Sequence, residues 1–125
     1  MELIIGGAYQ GKLDHAKEKY GLKEEEVFRC TEDGRIDFGA KCIYGIENYT
    51  LWCVKNGTDA LSVFKAEEAR WQDSILIAED IFCGVVPVEK EMRAWREMTG
   101  RLLAYLSGKA VHVFRIFLGL EQKLK

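Results

Sequence analysis

A chain of 125 residues is the size of one ordinary domain and too short for two, so a single core is expected. Its 18 basic and 20 acidic residues leave a net charge of −2 with no like-charged tail, which gives no nucleic-acid face. No segment reaches the roughly 18 apolar residues of a membrane span and no basic, apolar leader opens the chain, so a cytoplasmic protein without membrane partners is expected.

Glu2 to Ile5 reads as a strand, because Leu3, Ile4 and Ile5 form a continuous apolar run of the kind found in parallel strands covered on both faces. It breaks into Gly6-Gly7-Ala8-Tyr9-Gln10-Gly11-Lys12, and a helix from Leu13 to Tyr20 follows, ended by Gly21. A short strand is expected at Glu26 to Cys30, closed by the turn Thr31-Glu32-Asp33-Gly34. Phe38 to Asn56 is rich in β-favouring residues, yet Ile43, Ile46, Tyr49 and Cys53 fall at helical steps, and the segment reads as helix. Thr58 is the natural N-cap of a further helix running to about Arg70.

Ser74 to Ala78 is the second strong strand, and it ends in the carboxylates Glu79 and Asp80. Gly84-Val85-Val86-Pro87 reads as a loop and Val88 to Leu106 as a long amphipathic helix, terminated by Ser107-Gly108. Ala110 to Phe117 is the last expected strand, with Leu118 to Lys125 a short tail. Alternating strands and helices predict a three-layer α/β/α domain with a mostly parallel central sheet. Cys30, Cys42, Cys53 and Cys83 show no C-x-x-C and no nearby paired histidine, so reduced, buried thiols are expected rather than zinc ligands or disulfides. Trp52, Trp71 and Trp95 read as core or subunit-contact aromatics.

Strand, Gly-rich loop, Lys and helix in this order are the context of the phosphate-loop motif G-x-x-x-x-G-K-[ST], with Leu13 standing where Ser or Thr is required. Gly6, Gly7 and Gly11 let the backbone turn its amides inward around a phosphate, over Ala8, Tyr9 and Gln10, and Lys12 supplies a point charge beside a helix N-terminus. Leu13 cannot ligate magnesium, so phosphoryl transfer is weakened more than binding. Asp14 or Asp80 would have to replace the lost hydroxyl. Glu79 and Asp80 stand where open α/β sheets place ligand chemistry, or simply form a solvated strand end.

Beyond the loop, Ile77-Ala78-Glu79-Asp80-Ile81-Phe82-Cys83-Gly84-Val85-Val86-Pro87 resembles the segment after the core strand in the adenosylcobinamide kinase/adenosylcobinamide-phosphate guanylyltransferase family of cobalamin biosynthesis. Arg93 to Leu102 and the closing Gly119 to Lys125 continue the similarity, and Gly6 to Lys12 and Thr50-Leu51-Trp52 match its other motifs. The resemblance implies a P-loop NTPase-like domain that binds ATP or GTP with Mg2+, adenosylcobinamide as phosphoryl acceptor, a homo-oligomer, and Asp80 in the position of a magnesium-holding carboxylate. It also places Arg93 and Arg96 within reach of phosphates, with surface salt bridges to Glu89, Glu91 or Glu97 as the alternative.

The family guanylylates a histidine that lies between the second strand and T-L-W. Here residues 31 to 48 contain none, and His15 and His112 match no catalytic position. Guanylyltransfer is therefore not expected. Three readings remain: a purine nucleotide-binding relative with weakened kinase chemistry, an active adenosylcobinamide kinase with a substituted magnesium ligand, and a non-catalytic regulatory or interaction subunit.

Overall fold

The computed structural model describes residues 1–81 and 89–125. Cys83 and the loop expected at Gly84 to Pro87, with the start of the helix expected from Val88, lie outside them. Six strands form one sheet: β1 (Glu2–Gly6), β2 (Val27–Arg29), β3 (Cys42–Tyr44), β4 (Ile75–Glu79), β5 (His112–Phe117) and β6 (Leu120–Lys123), in the spatial order β2-β3-β4-β1-β5-β6. All neighbours run parallel except β5 and β6, which form an antiparallel hairpin. Five α-helices accompany them among the described residues: α1 (Lys12–Tyr20), α2 (Ile46–Lys55), α3 (Ala60–Ala66), α4 (Glu68–Trp71) and α5 (Lys90–Lys109). None is long and apolar enough to cross a membrane.

Strand alternation divides the apolar residues between two faces. Leu3, Ile43, Leu76, Ala78 and Val113 point to the side covered by α2, α3, α4 and α5, where Tyr49, Phe64, Trp71, Leu102 and Leu106 join them. Ile4, Cys42, Ile75, Ile77 and Ile116 point the other way, toward Ala16 and Leu13 of α1. The arrangement is the expected α/β one, compatible with three layers, with four helices on one face and one on the other. Phe64 anchors the larger face: its ring meets Phe38 edge-on at 5.0 Å and Trp71 at 6.1 Å. Its carbonyl accepts from the Trp71 indole N–H at 2.7 Å, so the buried ring leaves no orphaned donor.

Four expectations require correction. Phe38 to Asn56 is not one helix; Cys42–Tyr44 is the strand β3 and α2 begins at Ile46, after Gly45 turns the chain with φ 81°. The tail after Phe117 is not a tail, since Leu120–Lys123 pairs with β5 across a two-residue turn. The helix expected from Thr58 to Arg70 is capped at Asp59 and interrupted at Glu67, giving α3 and α4. Ser107-Gly108 does not end α5, which continues to Lys109 while Lys125 Nζ donates to the Ser107 and Gly108 carbonyls at 3.0 and 3.1 Å. A cation thus satisfies carbonyls that a helix end leaves open. Cys30, Cys42 and Cys53 are free and buried, as expected, and burial pushes the Cys30 and Cys42 thiols up to about 12.

Candidate functional site

The site forms at the C-terminal edge of β1 and β4. Gly6, the last residue of β1, lies level with Glu79 on one side and Ile116 on the other. A Cβ at Gly6 would stand 2.6 Å from the Ile116 carbonyl, so glycine is a steric requirement where the chain leaves the sheet. The Gly6 carbonyl accepts from the Asp80 amide at 2.7 Å, which carries the β1–β4 pairing one residue past the strand end. Gly7, Ala8, Tyr9 and Gln10 form the loop, and Gly11, at φ 82°, is the N-cap of α1. Tyr9 is also left-handed, at φ 60°, and its side chain is fully exposed.

Lys12 is the first residue of α1 and only 6% exposed. Its Nζ turns back beneath the loop and donates to the Gly7 carbonyl at 2.7 Å. Burial pushes the amine below its ordinary value, opposed by the negative charges of Glu79, Glu47 and Asp80, in that order. The ammonium is thus a desolvated cation held among carboxylates. Lys12 opens α1, whose first-turn amides lack intrahelical acceptors and whose N-terminus is the positive end of the helix dipole.

Glu47 was not legible as a site residue. It occupies the first turn of α2, and its Oε1 accepts from the Glu79 amide at 2.7 Å, tying α2 to the end of β4. Burial is the largest influence on its carboxyl, which is raised above the ordinary value. The turn that carries it is fixed from behind: the Glu47 carbonyl accepts from the Trp95 indole at 2.9 Å and from the Thr50 hydroxyl at 3.0 Å. The signal that could have found Glu47 is the triplet Cys42-Ile43-Tyr44 before Gly45, a strand end followed by a helix start.

Ala8 to Asp14 open onto a cavity of about 300 Å³ whose far wall is Tyr44 and Glu79. The structure therefore gathers the expected loop residues Ala8, Tyr9, Gln10, Gly11, Lys12 and Leu13 around one space. Asp80 is half-buried immediately after β4 and acts on Lys12 through its charge, while Glu79 and the expected ligand Asp14 are the carboxylates that line the cavity. Leu13 is half-buried and packs against the cluster around Ile4. Arg93 and Arg96 lie on α5, where both have interaction partners.

Both histidines are paired with carboxylates. His15 Nε2 lies 2.8 Å from Glu121 Oε1, joining α1 to β6, and His112 Nδ1 lies 3.0 Å from Glu2 Oε1. His112 is level with Glu2, at the opposite end of β1 from Gly6. The described residues hold no cluster of three or more His, Cys, Asp or Glu side chains suited to a metal ion. No protein-family model matches the chain, and no curated protein is significantly similar to it.

Proposed function

We propose that this chain is a purine nucleotide-binding domain of the P-loop type, related to the adenosylcobinamide kinase/guanylyltransferase family, which seats ATP or GTP phosphates over Gly6 to Leu13. The observation that carries the reading is the position of Lys12. A buried ammonium at the first residue of a helix, turned onto a loop carbonyl and faced by Glu79, is a cation already desolvated and aimed where a phosphate would lie. A phosphate oxygen would take over the place of the Gly7 carbonyl, with loop amides and the α1 N-terminus as further donors.

The surrounding charge favours a nucleotide that arrives with a divalent ion. Glu79, Glu47 and Asp80 outnumber Lys12, so a bare polyphosphate would meet repulsion. Magnesium commonly uses one or two protein carboxylates and takes its other oxygens from phosphates and water. Glu79 and Asp80 fit that role; the alkyl side chain of Leu13 does not. The ion would neutralise phosphate charge, and the protein's own part is to bind and orient the nucleotide.

Phosphoryl transfer to adenosylcobinamide is the activity the resemblance names, and loss of the hydroxyl ligand at Leu13 places it below binding in strength. Guanylyltransfer is not part of the proposal, because residues 31 to 48 contain no histidine and His112 lies level with Glu2, at the opposite end of β1 from Gly6. Calorimetric titration with ATP and GTP, with and without Mg2+, tests the reading. Wild-type protein is expected to bind at least one of them and Lys12→Ala to lose at least tenfold in affinity, as befits a buried charge-assisted contact. Absence of heat with both nucleotides in both conditions would remove it.

A further inference from the structure

Gln10 is held from outside the loop. Its main-chain carbonyl accepts from the Gly119 amide at 3.1 Å, and its side-chain Oε1 accepts from the Leu118 amide. Leu118 and Gly119 are the two turn residues between β5 and β6, both left-handed, at φ 52° and 75°. That is the backbone of a tight hairpin of the I′ kind. Neither residue is among those lining the cavity, and the Leu118 side chain is 71% exposed.

These two bonds bear on the anion seat through one peptide plane. Tyr9 and Gly11, on either side of Gln10, are also left-handed, so this stretch has a conformation that needs external support. The Gln10–Gly11 peptide is trans, like every other described peptide bond, and in a trans peptide the C=O and the following N–H point in opposite directions. With the Gln10 carbonyl turned out to the hairpin, the Gly11 N–H is turned away from it, and Gly11 is among the residues lining the cavity. Close to the turn, where Glu121 faces Ile116, the hairpin is tied to α1 as well, since Glu121 accepts from Lys19 Nζ at 2.6 Å and lies 2.8 Å from His15 Nε2.

We propose that the Leu118–Gly119 turn is a positioning element of the phosphate seat: it fixes the Gln10–Gly11 peptide so that the Gly11 amide is presented to a bound phosphate. The inference rests on the nucleotide reading above. Because coupling between binding events is reciprocal, anion binding must in turn secure the hairpin.

The test uses the full chain, with magnesium pyrophosphate and MgATP as probes, at a temperature where every variant is folded. Calorimetry is run on wild type, Gly119→Ala, which strains the turn, and Leu118→Asn, which suits its left-handed position. Exchange of the Leu118 and Gly119 amides is followed by NMR with and without pyrophosphate. Gly119→Ala is expected to weaken both probes by about fivefold or more, the low end of couplings between sites, and Leu118→Asn to tighten them. Pyrophosphate is expected to slow exchange at both amides. A turn that serves stability alone would leave the affinities of folded variants unchanged. Should Gly119→Ala fail to fold, Leu118→Asn and the exchange rates decide. Wild-type binding with unaltered affinities and exchange rates would overturn the positioning role and leave the nucleotide reading standing; no binding to wild type of either probe, or of GTP with or without Mg2+, would overturn both.

Discussion

Lys12 and Glu47 are opposite charges placed where burial disfavours each, and each is partly offset by the other. The cost is measurable at Glu47. Because its carboxyl is raised above 4.5 in the folded chain, the native state retains a proton that the unfolded chain has released. Stability therefore falls as pH rises from 4.5 through the raised value, and does not recover above it. Glu47→Gln keeps an oxygen for the Glu79 amide and removes the charge. It is expected to be more stable than wild type at neutral pH and equal to it at about pH 4. Urea unfolding at the two pH values reads the difference, and an advantage of the same size at both would refute this cause. Leu118 is a second residue-scale liability, a non-glycine at φ 52°. Leu118→Asn is expected to stabilise the fold by about 1 kcal/mol, because asparagine suits the first position of such a turn. A thermal midpoint that falls would contradict it.

At the scale of elements, α2 is held on α5 by a polar knot rather than by apolar packing alone. Thr50 and Thr99 are wholly buried with their hydroxyl oxygens 2.7 Å apart, and the Trp95 indole reaches both the Glu47 carbonyl and Thr50 Oγ1, the latter at 3.1 Å. Thr50→Val keeps the shape and removes the shared oxygen, leaving the Thr99 hydroxyl without that partner. A loss of about 1–3 kcal/mol is expected, the penalty for abandoning a buried polar group. Denaturant unfolding at neutral pH checks it, and a neutral substitution would mean that Thr99 finds another partner. The same knot fixes the helix turn that carries Glu47, so the site inherits its rigidity from a contact remote from the loop.

Elements whose signals are local were legible in the sequence. β1, the Gly-rich loop and α1 follow one another without a gap, and β4 is a pure apolar run ending in carboxylates. β3 was hidden by its neighbours: Ile43 on the strand and Ile46, Tyr49 and Cys53 on α2 all enter the same apolar cluster, so their spacing reads as one helix across the break at Gly45. Losing β3 also concealed Glu47 and Tyr44, which matter only because β3 lies beside β4. β6 was hidden because its four residues are exposed, and Leu118 is an atypical residue for the turn that creates it. The alkyl group at Leu13 was legible, and the structure gives it a role in packing α1 on the sheet.

For the molecule as a whole, a mostly parallel sheet with β1 between β4 and β5 brings the loop, the carboxylates Glu79 and Asp80 at the end of β4 and the hairpin turn after β5 to one edge. Open α/β sheets bind ligands at that carboxyl edge. The loop, the buried Lys12 and Glu79 thus share one space of about 300 Å³, with Asp80 and the hairpin turn beside it. Electron density at Gly6 to Lys12 in crystals grown with ATP and magnesium tests this convergence most directly. The expected result is a phosphate within hydrogen-bonding distance of the Gly11 and Lys12 amides, with Lys12 Nζ moved from the Gly7 carbonyl onto a phosphate oxygen. Lys12 Nζ still bonded to Gly7, with no phosphate density in the loop at saturating ATP, would contradict it.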